Sequence, residues 1–167
     1  YWALTTTFGG HYQPLTWLSF ILDNKLWGNI SYYLRLHNVV LHGLNSVLVM
    51  YIIFNFQKHI LKATPGLLLA SSSLIGALLF ALHPLRVESV VWITERRDVL
   101  SAFFLFLSFI VYMEYIVLSY NKEKLKFNKL YFTCFILFLL SLMSKAWGIT
   151  FPLVLMVIDY MFFVNKG

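Results

Sequence analysis

One charged stretch decides how this chain folds: His83-Pro84-Leu85-Arg86-Val87-Glu88-Ser89-Val90-Val91-Trp92-Ile93-Thr94-Glu95-Arg96-Arg97-Asp98-Val99-Leu100. This charged segment holds three arginines and three of the chain's seven acidic residues. Long apolar runs flank it on both sides and have the composition of membrane-embedded helices. We expect the functional chemistry of the chain to lie in this segment between two membrane spans.

The composition indicates an integral membrane protein. Hydrophobic residues make up 60% of the 167 residues and charged residues only 12%, which is too apolar for a soluble domain of this length. Most lysines lie in short links between apolar runs, where they set the orientation of the chain in the membrane. The sequence has no stripe of basic residues interleaved with exposed aromatic residues, so nucleic-acid binding is not expected. The single cysteine, Cys134, lies within an apolar run and is expected to pack there.

Five apolar runs predict an all-α, polytopic membrane helix bundle with additional interfacial helices. The runs cover residues 34–56, 67–82, 99–118, 130–143 and 149–164. A helix needs about 20 residues to cross the bilayer core, and the last two runs are shorter than this. They therefore form either short spans or a broken helical hairpin. We therefore expect four to five membrane-embedded helices, within one transmembrane domain that includes residues 1–167. Asp98 is expected to be the N-cap of the third span.

The segment from Pro14 to Trp27 has leucines at helical spacing and precedes the first span. It predicts a helix that either lies in the membrane interface or packs on neighbouring spans. In the interfacial alternative, Asp23 and Lys25 face water. Two further acids, Glu114 and Asp159, are expected to be interfacial residues with no other role.

The first span carries a polar stripe, because Arg35, Asn38, His42 and Asn45 follow one another at helical spacing. Exposing such a stripe to lipid is costly, so it is expected to face the bundle interior or a cavity. It either contributes to a functional site or only hydrogen-bonds to neighbouring helices. Metal binding by His37 and His42 is disfavoured, because a separation of five residues puts them on different helix faces.

The distribution of lysines predicts the orientation of the chain in the membrane. The lysine-rich links, residues 57–64 and 119–129, are expected on the cytoplasmic side by the positive-inside rule, although the raw number of basic residues on the two sides is nearly even. Residues 83–98 and Lys145 then lie together on the extracytoplasmic side.

The charged segment has the residue types that bind a lipid phosphate, because arginine offers two parallel N–H donors and lysine a point charge. Its carboxylates suit a general base or a metal. If residues 85–98 formed one helix, Glu88 and Glu95 would share one face and Arg86 and Arg97 another. The alternative is that these charges pair with one another and hold the segment at the membrane. Spacing alone does not decide between the two.

Several motifs occur in a fixed order along the chain: Pro14-Leu15-Thr16-Trp17-Leu18-Ser19, Leu36-His37-Asn38, Leu41-His42-Gly43-Leu44-Asn45, the charged segment continuing to Ser101, and Ser144-Lys145 to Asp159-Tyr160. With them the chain resembles, over nearly its whole length, the membrane domain of bacterial TPR-containing proteins related to the transmembrane O-mannosyltransferases. These are polytopic glycosyltransferases of GT-C fold.

The resemblance implies transfer of a sugar from a polyprenyl-phosphate donor to an extracytoplasmic acceptor, a protein hydroxyl, in a bacterial inner membrane. Arg86, Arg97 and Lys145 become candidates for binding the donor phosphate. Glu88 and Asp98 become candidate catalytic carboxylates that orient these cations or take the acceptor proton. The implied partners are the lipid bilayer, the lipid-linked sugar and a protein acceptor. No cofactor is identified and no divalent metal is indicated.

The resemblance also implies that a first span, the loop after it with the principal acidic catalytic residues, and TPR repeats lie outside this chain. The chain alone is therefore expected to be inactive. Two other functions stay open. The chain could anchor a TPR interaction module, or transport a lipid-linked sugar along the polar stripe of the first span, although transporters bind near the membrane midplane.

Overall fold

The structure is a computed structural model that describes residues 5, 7, 12–28, 30–120 and 124–164. Helices account for 90% of these residues, and no strand occurs among them. The all-α prediction is confirmed for this part of the chain.

Seven α-helices follow one another along the described residues. They are α1 (Pro14–Trp27), α2 (Ser31–His59), α3 (Leu67–Leu82), α4 (Val87–Val91), α5 (Arg96–Tyr120), α6 (Lys124–Ser144) and α7 (Phe151–Val164). Three short 3₁₀ turns lie between them, at Pro84–Arg86, Ile93–Glu95 and Ala146–Thr150.

The number of helices that can cross a membrane is smaller than predicted. Among the described residues, two helices are long and apolar enough, Ser31–His59 and Ile93–Ser119, and a third is added if α3 and its continuation, bent by 52°, form one span. The prediction of four to five membrane-embedded helices is therefore too high. Lysines occupy the first turns of α6, and a break in the helical structure at Lys145 separates α6 from α7. The apolar stretch of each of these two helices is therefore shorter than the length that a membrane span requires.

Small side chains set the packing of the helix pair with the most extensive contact. α5 packs extensively on α6, where Ser101 and Ser141 are buried with their hydroxyl oxygens 2.9 Å apart. Ser108 is also buried and donates to the carbonyl of Cys134 at 2.9 Å. Small polar residues let helix backbones approach closely and satisfy their hydroxyls across the interface. Cys134 is buried in this contact, in agreement with its predicted packing role.

Side-chain hydrogen bonds also connect the outer helices to this pair. α1 contacts the end of α6 through Thr16, whose hydroxyl donates to the Ser144 carbonyl at 3.2 Å. α7 is held to α5 by the Tyr112 hydroxyl, which donates to the Asp159 carboxylate at 2.7 Å. Asp159 therefore has a tertiary contact in addition to its predicted interfacial position.

The charged segment is not one helix. Trp92 is extended, with φ −80° and ψ 119°, and it separates α4 from the next 3₁₀ turn. Its carbonyl accepts a hydrogen bond from the Asn38 side chain at 3.1 Å. Residues 85–98 therefore do not form the single helix under which Glu88 and Glu95 would share a face. α5 begins at Arg96, so Asp98 lies in its first turn and is not the N-cap.

Candidate functional site

Four charged side chains meet at the start of α5, and we call them the charged cluster: Glu95, Arg97, Asp98 and Lys145. Lys145 lies in the break between α6 and α7, and its ammonium group contacts the Asp98 carboxylate. The same ammonium lies 3.7 Å from Glu95 Oε2. Arg97 donates to both carboxylate oxygens of Glu95, at 2.7 Å from Nη2 and 3.3 Å from Nε. Glu95 is thus shared by the two cations.

The charged cluster is partly open to the surroundings. The exposed fractions of its four side chains range from 17% for Glu95 to 31% for Lys145. Two cations and two anions give the cluster a formal charge of zero. Charges that are partly removed from water attract each other more strongly than fully hydrated charges do. The cluster can exchange one of its own anions for an anionic ligand without leaving a cation buried and unpaired.

Two predicted site residues lie outside the charged cluster. The guanidinium group of Arg86 lies over the Phe80 ring, 4.8 Å from its centroid. The side chain of Glu88 is exposed and forms no hydrogen bond or ion pair with the part of the chain that the structure describes. Because the helix breaks at Trp92, α4 does not continue the face that carries Arg97. α4 contacts the cluster through Ser89, whose hydroxyl lies 3.4 Å from Asp98 Oδ2.

A second charged group is buried between α1, α2 and α5. Arg96 is 1% exposed, and its guanidinium contacts the carboxylate of Asp23. It also donates to Asn38 Oδ1 at 2.9 Å and to the Leu34 carbonyl at 2.6 Å. His37 Nδ1 lies 2.7 Å from the other oxygen of Asp23. A buried charge needs such partners, and for Arg96 of α5 they come from α1 and α2.

Sequence reasoning missed this buried group. In the interfacial alternative Asp23 faces water, and this is wrong, because its side chain is buried against Arg96. Arg96 and Arg97 are adjacent, so their side chains point about 100° apart on a helix, and the pattern does not tell which of them turns inward. The available signal was the single carboxylate of a mostly apolar helix, which needs a cationic partner if it is buried.

The polar stripe of the first span divides into two parts. Arg35 is exposed and does not share the buried face. The other three side chains bond to carbonyl oxygens of neighbouring elements: Asn38 Nδ2 to Trp92 (3.1 Å), His42 Nε2 to Ala81 (3.0 Å) and Asn45 Nδ2 to Val99 (2.9 Å). They tie α2 to α3 and to the start of α5. Within the described ranges, no group of three or more His, Cys, Asp or Glu side chains is placed to hold a metal ion.

The fold defines this chain as part of a helical membrane protein with a charged cluster at one end of its bundle. In sequence it is related to the TMTC protein O-mannosyl-transferases. It is 34% identical to protein O-mannosyl-transferase TMTC4 of Mus musculus over 116 residues, which are 67% of this chain and 16% of that protein. It is 38% identical to TMTC1 of the same species over 101 residues, 60% of this chain and 10% of that protein.

A third relative, TMTC3 of Mus musculus, is 34% identical over 145 residues, which are 83% of this chain and 14% of that protein. The chain thus spans between 10% and 16% of the length of these curated relatives. No protein-family model matches the chain, and no solved structure matches it significantly. The relation to O-mannosyl-transferases is confirmed, whereas the bacterial TPR context and the GT-C fold stay predictions.

Proposed function

We propose that this chain forms part of a membrane glycosyltransferase that moves a sugar from a polyprenyl-phosphate donor to a protein hydroxyl. The names of its relatives, protein O-mannosyl-transferases, support the transferase class and the protein acceptor. The charged cluster carries the proposal, because it brings Arg97 and Lys145 from separate parts of the chain to the same carboxylate. In the proposed orientation, residues 83–98 are extracytoplasmic and residues 119–129 cytoplasmic.

The cations of the charged cluster would act on the leaving group. In the reaction, the bond between the sugar C1 and a phosphate oxygen breaks, while C1 bonds to the acceptor oxygen and the hydroxyl proton passes to a base. The phosphate gains negative charge as the bond breaks. Arg97 and Lys145 would stabilise that charge more strongly in the transition state than in the bound donor, which accelerates the reaction. Arg86 would be a further cation for the lipid phosphate.

The carboxylates would have different roles. Asp98 contacts the Lys145 ammonium, so we assign it to orienting that cation. Glu88 is exposed and has no described partner, which leaves it able to accept the acceptor proton. Glu95 would hold Arg97 and Lys145 in place until the donor phosphate arrives.

A membrane anchor is the second candidate. It is favoured by the same geometry, since all four charges of the cluster are already paired with one another, as a purely structural cluster requires. A transport pathway along the polar stripe has less support. Asn38, His42 and Asn45 are engaged with neighbouring carbonyls, and Arg35 lies on another face.

A transfer assay separates these functions. Radiolabelled polyprenyl-phosphate mannose is added to vesicles that contain the longer polypeptide of which we propose this chain forms part, and label is measured in protein and on each side of the membrane. The proposal predicts label in protein, with at least about tenfold less for Arg97→Ala, a loss of roughly 1.4 kcal/mol in transition-state binding. Equal transfer by Arg97→Ala would contradict the assigned site. Movement of label across the membrane without transfer to protein would indicate a transporter. If label neither crosses the membrane nor enters protein, the result would indicate an anchor.

A further inference from the structure

A cavity of about 390 Å³ lies between α2 and α5, away from the charged cluster. Glu114, which lines it, is 16 residues along α5 from Asp98, which corresponds to about 24 Å of helix. The wall is largely apolar and includes Ile52, Ile110, Met113, Val117 and Leu118. This volume is within the range of small-molecule sites, about 300–1,000 Å³.

Side chains with positive and with negative charge line the same cavity. Lys58 and His59 come from the last turn of α2, and Glu114 comes from α5. Lys58 and Glu114 are exposed, and neither forms an ion pair with the other or with any residue among those described. Since neither side chain is neutralised by an ion pair in the described part of the chain, each can meet the opposite charge of a ligand that carries charges of both signs.

We propose that this cavity binds a phospholipid whose head group carries a primary ammonium. Its phosphodiester would lie against Lys58 and His59, its ammonium against Glu114, and part of an acyl chain along the apolar wall. α2 and α5 are both long and apolar enough to span the bilayer, so the cavity between them is in reach of membrane lipid. A primary ammonium donates hydrogen bonds to a carboxylate, which a quaternary ammonium cannot do. The inference does not depend on the proposed transferase activity.

Lipid retention in native mass spectrometry tests this proposal. The detergent-purified protein is incubated separately with phosphatidylethanolamine, phosphatidylcholine and phosphatidylglycerol of the same acyl composition. We expect phosphatidylethanolamine to be retained up to about fivefold more than either other lipid. Its ammonium adds an ion pair that phosphatidylglycerol lacks and a hydrogen bond that phosphatidylcholine cannot form, and such a contact at a partly exposed site contributes up to about 1 kcal/mol. Glu114→Gln should remove this preference, and Lys58→Gln should lower retention of all three lipids.

Two matched variants control for net charge. Lys129→Gln removes an exposed lysine outside the cavity, and Glu88→Gln removes an exposed carboxylate near the charged cluster. Both should retain phosphatidylethanolamine as the wild type does, and circular dichroism verifies that all four variants are folded. Equal retention of the three lipids, preference for phosphatidylglycerol, or unchanged selectivity in Glu114→Gln would overturn the proposal.

Discussion

Arg96 and Asp23 lie 73 residues apart in sequence and form a buried ion pair that joins α5 to α1. The carboxylate of Asp23 also contacts His37 of α2, so one acidic side chain links three helices. The neighbouring residue Arg97 turns the other way and contributes to the charged cluster. The packing of α1 and the geometry of the candidate site therefore depend on adjacent residues of one helix turn.

Asp23→Asn is predicted to destabilise the fold strongly. The substitution leaves the buried guanidinium of Arg96 without its anion, and breaking a buried pair from one side costs about 3–5 kcal/mol. The measurement is the free energy of unfolding in detergent micelles. Glu88→Gln, which removes an exposed carboxylate, is the control and should change stability by less than about 0.5 kcal/mol. Equal stability of the two variants would contradict the role given to Asp23.

Ser141→Leu is predicted to disturb the contact between α5 and α6. Ser141 is fully buried, and its hydroxyl lies 2.9 Å from that of Ser101. A larger side chain overpacks this close approach and should cost about 1–3 kcal/mol of unfolding free energy. Thr133→Leu, at an exposed position of the same helix, is the matched control. If both variants unfold at the same temperature as the wild type, the close packing of these helices is not as described.

Glu95→Gln is predicted to strengthen binding of the donor phosphate. The substitution removes the anion that Arg97 and Lys145 share and raises the formal charge of the cluster from zero to +1. We expect affinity to rise about two- to fivefold at low salt, and the gain to shrink at 1 M salt, where screening is strong. Titration of polyprenyl-phosphate mannose at both ionic strengths measures this. Weaker binding would mean that Glu95 itself positions the donor.

The local pattern predicted some parts of this structure and could not predict others. Apolar runs identified the helices, the distribution of charge placed residues 83–98 and Lys145 on one side of the membrane, and the family resemblance named Arg97, Asp98 and Lys145 as site candidates. The helix break at Trp92 could not be predicted, because the carbonyl of Trp92 accepts its hydrogen bond from Asn38 of another helix, 54 residues away. For the same reason the sequence did not decide between a buried Asp23 and one that faces water. Its partner is supplied by tertiary packing, which periodicity within one helix does not encode.

The charged cluster is proposed to bind the donor phosphate, and a direct measurement of donor binding tests this proposal most simply. The protein is reconstituted in nanodiscs, and the dissociation constant for polyprenyl-phosphate mannose is measured for Arg97→Ala and Lys145→Ala. Arg35→Ala and Lys25→Ala remove one exposed arginine and one exposed lysine outside the cluster and serve as matched controls. We predict binding at least about tenfold weaker, or roughly 1.4 kcal/mol, for both cluster variants and unchanged binding for both controls. Wild-type affinity in Arg97→Ala and Lys145→Ala would contradict the account.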